Sequence, residues 1–290
     1  MRCLPSIIAA LLVVSIFAPK ALAGSNDLRL ARLNYFDQQY CGWNTPDKGG
    51  DAVLCVLKPN GQDMFGKLIT ELGIATAPKM LTTPDTSGQA GFEFGLATSF
   101  TTVNNGEPYW QVVESGSPSA ALSTLQFQMV KGLPFGMEIG GNVTHLISSR
   151  MVNVSGFLGI SLNEGIWYAP DITLKLFGGR LFGVGALNLN NAGADLIIGK
   201  EFSLKGVGTL TPYAGYEFLY LNANTKLFDP TPATLADGEA NLISFNMTHS
   251  FVNKGVFGLR YLITIFSLYF QADISDKKVH SYSLKAALEF

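Results

Sequence analysis

The sequence predicts an all-β membrane protein: a closed, antiparallel, up-and-down transmembrane β-barrel of about ten strands, within a range of roughly eight to twelve. Three observations carry this. Apolar and polar residues alternate along segment after segment from Phe92 onward, which is the period of a strand with two unlike faces. Charged residues make up only 14% of the chain and mean hydropathy is +0.23, yet no apolar run beyond the N-terminus has the ~20 residues of a membrane helix. The chain also ends on an alternating segment that closes with Phe290. A barrel reconciles the three, because every second residue faces lipid while its neighbours face a polar interior.

The N-terminus predicts export. Arg2 supplies a positive start, Ile7 to Phe17 is almost purely apolar, and Pro19 and Lys20 break the run before Ala21-Leu22-Ala23. That order matches a secretory signal peptide with a small-x-small cleavage site, and the run is too short to span a bilayer as a helix. The expected division is residues 1–23 as signal peptide, 24–89 as an N-terminal segment and 90–290 as the barrel. Cys3 would leave with the signal, and no Cys follows the cut to anchor a lipid. The formal net charge of −2 becomes more negative once Arg2 and Lys20 are lost, so no basic footprint for nucleic acid exists.

Cys41 and Cys55 remain in a compartment that oxidises thiols. A disulfide between them would close a loop of about 15 residues, worth roughly 3 kcal/mol in the chain-entropy model; two buried free thiols are the alternative. The rest of residues 24–89 does not alternate. Turn residues cluster at Asn44 to Gly50 and at Pro59-Asn60-Gly61, and Met64, Phe65, Leu68, Ile69 and Leu72 recur at helical spacing. Gln62 to Gly73 therefore predicts a short amphipathic helix, which Pro78 and Pro84 end. The segment is expected as a periplasmic cap against the barrel base, with a plug inside the lumen as the other possibility. The cap is preferred because so apolar a helix face sits badly among lumen charges.

The strands follow in order. Phe92, Phe94, Leu96 and Phe100 alternate with Gly91, Glu93, Gly95 and Ser99, and Leu125, Phe127 and Met129 with Gln126 and Gln128. Met137, Ile139 and Val143 alternate with Glu138, Gly140 and Asn142; Val152, Val154, Leu158 and Ile160 alternate with Asn153, Ser155, Gly159 and Ser161. Ile172, Leu174 and Leu176 flank Thr173 and Lys175, Ala194, Leu196 and Ile198 flank Asp195, and Ala214, Tyr216, Phe218 and Tyr220 flank Gly215 and Glu217. Connections alternate too. Residues 131–134 and 203–208 are tight, as periplasmic turns are, whereas 104–121 and 222–241 are long, as outer loops are. Both termini are accordingly expected in the periplasm.

Residues 241–276 are ambiguous. Leu259, Tyr261 and Ile263 keep one phase, and Leu268, Phe270 and Ala272 the opposite one. Either a bulge interrupts one long strand, with Ile243 to Phe251 as a strand of its own, or a turn near Ile265 separates two short strands and 243–251 belongs to a loop. In the last strand Tyr282, Leu284, Leu288 and Phe290 share one face, and Ser281, Ser283, Lys285 and Glu289 the other. That ending looks like the signal read by the barrel assembly machinery, an expected partner during biogenesis.

Lys131-Gly132-Leu133-Pro134, Arg180-Leu181-Phe182-Gly183, Thr211-Pro212-Tyr213-Ala214-Gly215-Tyr216 and the approach Glu71-Leu72-Gly73-Ile74-Ala75-Thr76-Ala77-Pro78 give the chain its resemblance to Gram-negative outer-membrane β-barrels, a proteobacterial group of unassigned function. The resemblance spans most of Gln62 to Phe290. It implies the fold and the membrane, and it brings no catalytic residues.

The lumen face collects Glu93, Glu138, Lys175, Asp195, Glu217, Arg260 and Lys285. A barrel of this size has an interior close to what side chains alone fill, so these charges are expected to pair with one another. Small lumen residues such as Gly95, Gly140, Gly159 and Gly215 would instead leave space for a solute, although glycines also serve close packing. Catalysis is not expected. Barrel proteases pair aspartates with a His-Asp couple, and barrel phospholipases and lipid A deacylases use His-x-Ser. Here His249 and His280 precede Ser250 and Ser281 directly, and adjacent residues on a strand point to opposite faces; His145 and His280 should face lipid. No metal site or cofactor is expected from so few His and Cys. Tyr216, Phe218, Tyr220, Tyr261 and Tyr282 suit the interfacial girdles beside outer-membrane lipid and lipopolysaccharide. Two functions stay open: a structural or interaction barrel working through its outer loops, its cap and an envelope protein partner, or a narrow channel for a small solute.

Overall fold

The structure is a computed structural model that describes residues 28, 30, 33, 59–113, 119–163, 168–226 and 245–290. Helix α1 (Pro59–Thr76) comes first, and a second helix, α2 (Pro108–Val113), sits between the first two strands. The strands are β1 (Phe92–Thr102), β2 (Ala121–Leu133), β3 (Met137–Leu146), β4 (Val152–Asn163), β5 (Asp171–Phe182), β6 (Leu187–Gly199), β7 (Phe202–Leu204), β8 (Gly208–Thr225), β9 (Thr248–Ile263), β10 (Phe266–Ser275) and β11 (His280–Glu289).

Every strand pairs antiparallel with its neighbours, β1 pairs with β11, and β6 pairs directly with β8. Ten strands thus close a barrel, and the short β7 adds an extra pairing to the start of β8. Closure leaves no backbone edge in lipid, the condition for a sheet to span a membrane. The seam is tied at its end: Phe92 N donates to Phe290 O at 2.6 Å and Phe290 N to Phe92 O at 2.9 Å.

The ambiguous stretch resolves as a hairpin. Phe266 pairs with Ile263 across the turn 264–265, where Thr264 takes a positive φ of 58°. The phase reversal is therefore a change of strand. The expected loop over 243–251 is corrected in part, because Thr248 to Phe251 already belong to β9. Nor are the two strands short: β9 runs 16 residues.

The outer face carries an apolar belt. Leu96, Leu158, Leu176, Phe257, Phe270 and Leu284 are each more than half exposed, a continuous display that soluble monomers avoid. With the closed sheet it makes the chain a transmembrane β-barrel. Among the described residues no helix is long and apolar enough to cross a membrane.

The two rims differ. One holds Phe290 and the connections 134–136 and 264–265; it is called the near rim. The other, the far rim, holds the connections 103–120 and 226–247. Towards the far rim the alternation inverts: Leu187, Leu189, Leu219 and Leu221 point inward and are buried, while Asn188, Asn190 and Asn222 lie on the outside. On the β6–β8 side the far end of the barrel is thus an apolar collar with a polar exterior, whereas the near end is a polar lumen with an apolar exterior.

Candidate functional site

The lumen is occupied by the protein's own chain. Pro59 at the first helical position suits α1, since its missing N–H needs no partner there. The helix buries Phe65, Leu68, Ile69 and Leu72 in one apolar cluster with the collar residues Leu146, Leu189 and Leu221. Phe65 also stacks on Phe245, with ring centroids 4.8 Å apart. Gly73 is fitted to this contact: a Cβ there would come within 2.5 Å of the Leu221 side chain. On its polar side α1 presents Gln62, Gly66 and Thr70, one turn apart, to alternate residues at the start of β9. Gln62 Nε2 donates to Thr248 Oγ1 at 2.8 Å and Thr70 Oγ1 to Ser250 Oγ at 2.9 Å.

Glu71 fastens the helix to the β1–β2 connection. Its carboxylate accepts from Asn104 N at 3.0 Å, Asn104 Nδ2 at 2.6 Å, Tyr109 Oη at 2.7 Å and Trp110 Nε1 at 2.7 Å. Four donors satisfy a buried charge without a cation. The Tyr109 hydroxyl, on α2 outside the spanning strands, is pushed well above its ordinary pKa, first by burial and then by the Glu71 carboxylate.

Beyond Thr76 the chain runs as a strap through the polar half of the lumen, held on several sides by inward side chains. Gln126 of β2 binds Lys79 N and O, Lys285 of β11 donates to Leu81 O, and Lys175 of β5 donates to Thr82 Oγ1. Thr173 donates to Pro84 O, and Arg260 of β9 reaches Thr83 Oγ1 at 3.2 Å and Asp85 Oδ2 at 2.7 Å. The cap expectation for residues 24–89 is thereby corrected: the portion from 59 to 85 is a plug. The apolar helix face was a sound objection to a uniformly charged lumen, but the collar supplies an apolar seat for α1 and leaves the charges to the strap.

The structure places all seven expected lumen residues inside the barrel, buried. Lys285 pairs with Glu93, Lys175 with Glu138 at 2.8 Å and Arg260 with Asp85 and with Glu289. Glu217 pairs at 2.6 Å with Lys254. Asp195 stands apart. It faces Lys175 on one side and Glu217 on the other in strand register, yet both its oxygens lack a hydrogen-bond partner. The row Lys175, Asp195, Glu217, Lys254 therefore runs plus, minus, minus, plus across β5, β6, β8 and β9. Lys254 was missed because its strand lay in the ambiguous stretch, although Arg260 is an even number of residues away and carries its phase back to it. Asp273 follows from the reversed phase of β10, opposite Leu268 and Phe270, and Glu289 from the phase of Lys285 on β11. Glu71, Lys79 and Asp85 had no strand to place them.

Lumen glycines make room for neighbouring side chains. A Cβ at Gly159 would fall 2.7 Å from Glu138 Cγ, and one at Gly95 2.9 Å from Lys285 Cδ. At both positions the space beside the glycine is taken by an ion-paired side chain. His145 and His280 lie on the outward face of their strands, His249 Nδ1 is 2.6 Å from Tyr220 Oη, and Ser250 turns inward to Thr70. Among the described residues no group of three or more His, Cys, Asp or Glu could hold a metal. Cys41, Cys55 and the signal segment lie outside the described residues.

No protein-family model matches this sequence, and no curated protein matches it either. Solved structures similar to it are bacterial outer-membrane barrels. The N-terminal β-barrel domain of Pseudomonas aeruginosa OprF shares 14% identity over 70% of this chain and 99% of its own, at a TM-score of 0.33. The KdgM porin, in complex with disordered oligogalacturonate, shares 7% over 68% of this chain and 99% of its own, at 0.34. The translocator domain of the autotransporter NalP from Neisseria meningitidis shares 11% over 79% and 95%, at 0.36.

Outside the lumen, a cleft of about 920 Å³ opens at the far rim between α1 and the barrel. Asp63, Lys67 and Glu71 line it on the plug side, and Glu107, His249 and Lys277 on the other. A cavity of about 40 Å³ lies at the near rim under Asp85, Glu93, Arg260 and Tyr269, room for a few waters.

Proposed function

We propose that the protein is a sealed structural or interaction barrel of the bacterial outer membrane. Lipid and lipopolysaccharide would meet its belt, and the far rim would be its working surface towards an envelope partner. One observation carries this: residues 59–85 fill the lumen in two layers, apolar α1 in the collar and the hydrogen-bonded strap in the charged half. A solute would have to break both. The strap's cationic partners are themselves paired with wall carboxylates, and breaking such a buried pair costs about 3–5 kcal/mol. A standing channel does not fit that arrangement, and no catalytic step is assigned to any residue.

Planar-bilayer recording tests it. The refolded full-length protein should be electrically silent, and a chain lacking residues 24–85 should conduct. If that deletion fails to refold, Glu71→Ala with Gln126→Ala keeps the test open by loosening the plug at both ends. Steady unitary conductance from the intact chain would overturn the sealed barrel in favour of a channel.

A further inference from the structure

The apolar belt is interrupted by a furrow. Gly141, Gly156, Gly178 and Ala192 face each other in register on β3, β4, β5 and β6, all on the outward face. A Cβ on any of the three glycines would meet only a backbone oxygen, at 3.5 Å or more, so no side chain fills the space in front of them. The floor runs about 14 Å from Gly141 to Ala192 at the usual strand spacing. Leu158 and Leu176, each more than half exposed, wall it on the near-rim side, and Val154 and Arg180 on the far-rim side. Its two ends are unlike: Met129 of β2 is exposed and apolar, whereas Tyr220 of β8 holds His249 Nδ1 at 2.6 Å from its hydroxyl.

Arg180 is an exposed cation on this lipid-facing wall, and it is held in place. Its Nη2 donates to Asn188 Oδ1 at 2.9 Å, and its Cζ lies 5.8 Å from the Phe182 ring centroid. No carboxylate among the described residues pairs with it. A guanidinium carries five donors, and a cation facing lipid is costly unless an anion meets it. Beside it in register stand the outward carboxamides of Asn190 and, one strand further, Asn222. The furrow thus offers an anion site and neutral hydrogen-bonding groups towards the far rim, and an apolar floor running from them to Met129. We propose that it binds lipid A, the phosphorylated and acylated sugar lipid of the outer leaflet. A phosphate meets Arg180, sugar hydroxyls meet Asn190 and Asn222, and one acyl chain lies over Gly178, Gly156 and Gly141. The two carboxamides favour a sugar head over a phospholipid, whose single phosphate needs Arg180 alone. The site rests on the outer-membrane reading above, with the far rim and its longer connections on the outer side, as in bacterial barrels.

Native mass spectrometry of the detergent-refolded full chain tests it, with lipid A in one titration and dimyristoyl phosphatidylglycerol in another. The protein should retain a single lipid A and hold phosphatidylglycerol about tenfold more weakly. Arg180→Ala should weaken lipid A about tenfold, since it removes a charge-assisted contact to phosphate. Gly178→Leu, which fills the floor and leaves the head-group residues intact, should weaken it as well. Ala286→Leu, outward on β11 across the barrel, should leave binding unchanged. Should Gly178→Leu not refold, Ala192→Leu fills the same floor and carries the same expectation. Equal retention of phosphatidylglycerol, or undiminished lipid A binding in either the arginine or the floor variant, would overturn the site. Loss of a dimer rather than of lipid on filling the floor would overturn it in favour of contact between two copies. Insertion into dilauroyl phosphatidylcholine vesicles, read by heat-modifiable gel mobility, separates the remaining outcomes. A chain that inserts but keeps no lipid A overturns this site alone, and one that does not insert overturns the outer-membrane reading with it.

Discussion

Gln126 holds Lys79 by both ends of its backbone unit: its side-chain oxygen accepts from Lys79 N at 2.9 Å, and its side-chain nitrogen donates to Lys79 O at 2.8 Å. The strap has no neighbouring strand, so inward side chains do for it what a sheet ladder does elsewhere. Gln126→Ala leaves the buried Lys79 N–H unpaired, while Lys79 O keeps the Leu81 N–H at 3.0 Å. An unsatisfied buried group costs about 1–3 kcal/mol, so the variant should lose that much in urea titrations of the lipid-refolded protein. A loss below about 0.5 kcal/mol, within the range of ordinary surface changes, would mean the strap is not seated there.

Glu71 should act as a latch between the plug and the β1–β2 connection. Glu71→Ala strands the indole of Trp110 and the hydroxyl of Tyr109, both buried. Hydrogen bonds to a charged acceptor are each worth about 1.5–3 kcal/mol. Hydrogen–deuterium exchange should show protection lost over 103–113 and along α1, with the strand amides unchanged. Unaltered exchange in α2 would remove Glu71 from that role.

Asp195 and Glu217 face each other as like charges in strand register, and like charges directly opposite are destabilising. Asp195 has no hydrogen-bond partner, whereas Glu217 holds Lys254 at 2.6 Å. Asp195→Asn should therefore be neutral or stabilising. Glu217→Gln should cost about 3–5 kcal/mol, because it leaves a buried ammonium unpaired. The same chemical change at adjacent register positions should give opposite signs in refolding titrations, and equal losses would show that the row does not work as a unit.

Leu284 and Lys285 test the faces. Leu284 is half exposed on the belt and Lys285 fully buried in the lumen. Leu284→Arg should destabilise by about 2–4 kcal/mol if the site lies near the bilayer midplane, and by less towards an interface. Its effect should shrink in lipids with shorter chains as the site approaches an interface. No loss in any lipid would place Leu284 off the belt.

The sequence by itself determined the barrel and its faces. Leu96, Leu158 and Leu284 read as outward and Glu93, Asp195 and Lys285 as inward from parity alone, because a strand places successive side chains on opposite faces whatever its partners are. Even the reversal between Ile263 and Leu268 was visible, and only the choice between a bulge and a turn waited for Thr264 and its pairing across the hairpin. The plug was not legible. Nothing local in Lys79 or Glu71 names Gln126 or Trp110 as its partner, because these contacts join distant parts of the chain and exist only once the sheet has closed. The collar was not legible either: Leu187 and Leu189 break the apolar-out rule because what lies inside them is a helix rather than water. Parity tells which residues share a face. What fills the space that a face encloses is settled by packing, since an apolar wall and an apolar helix face are each stable only against the other.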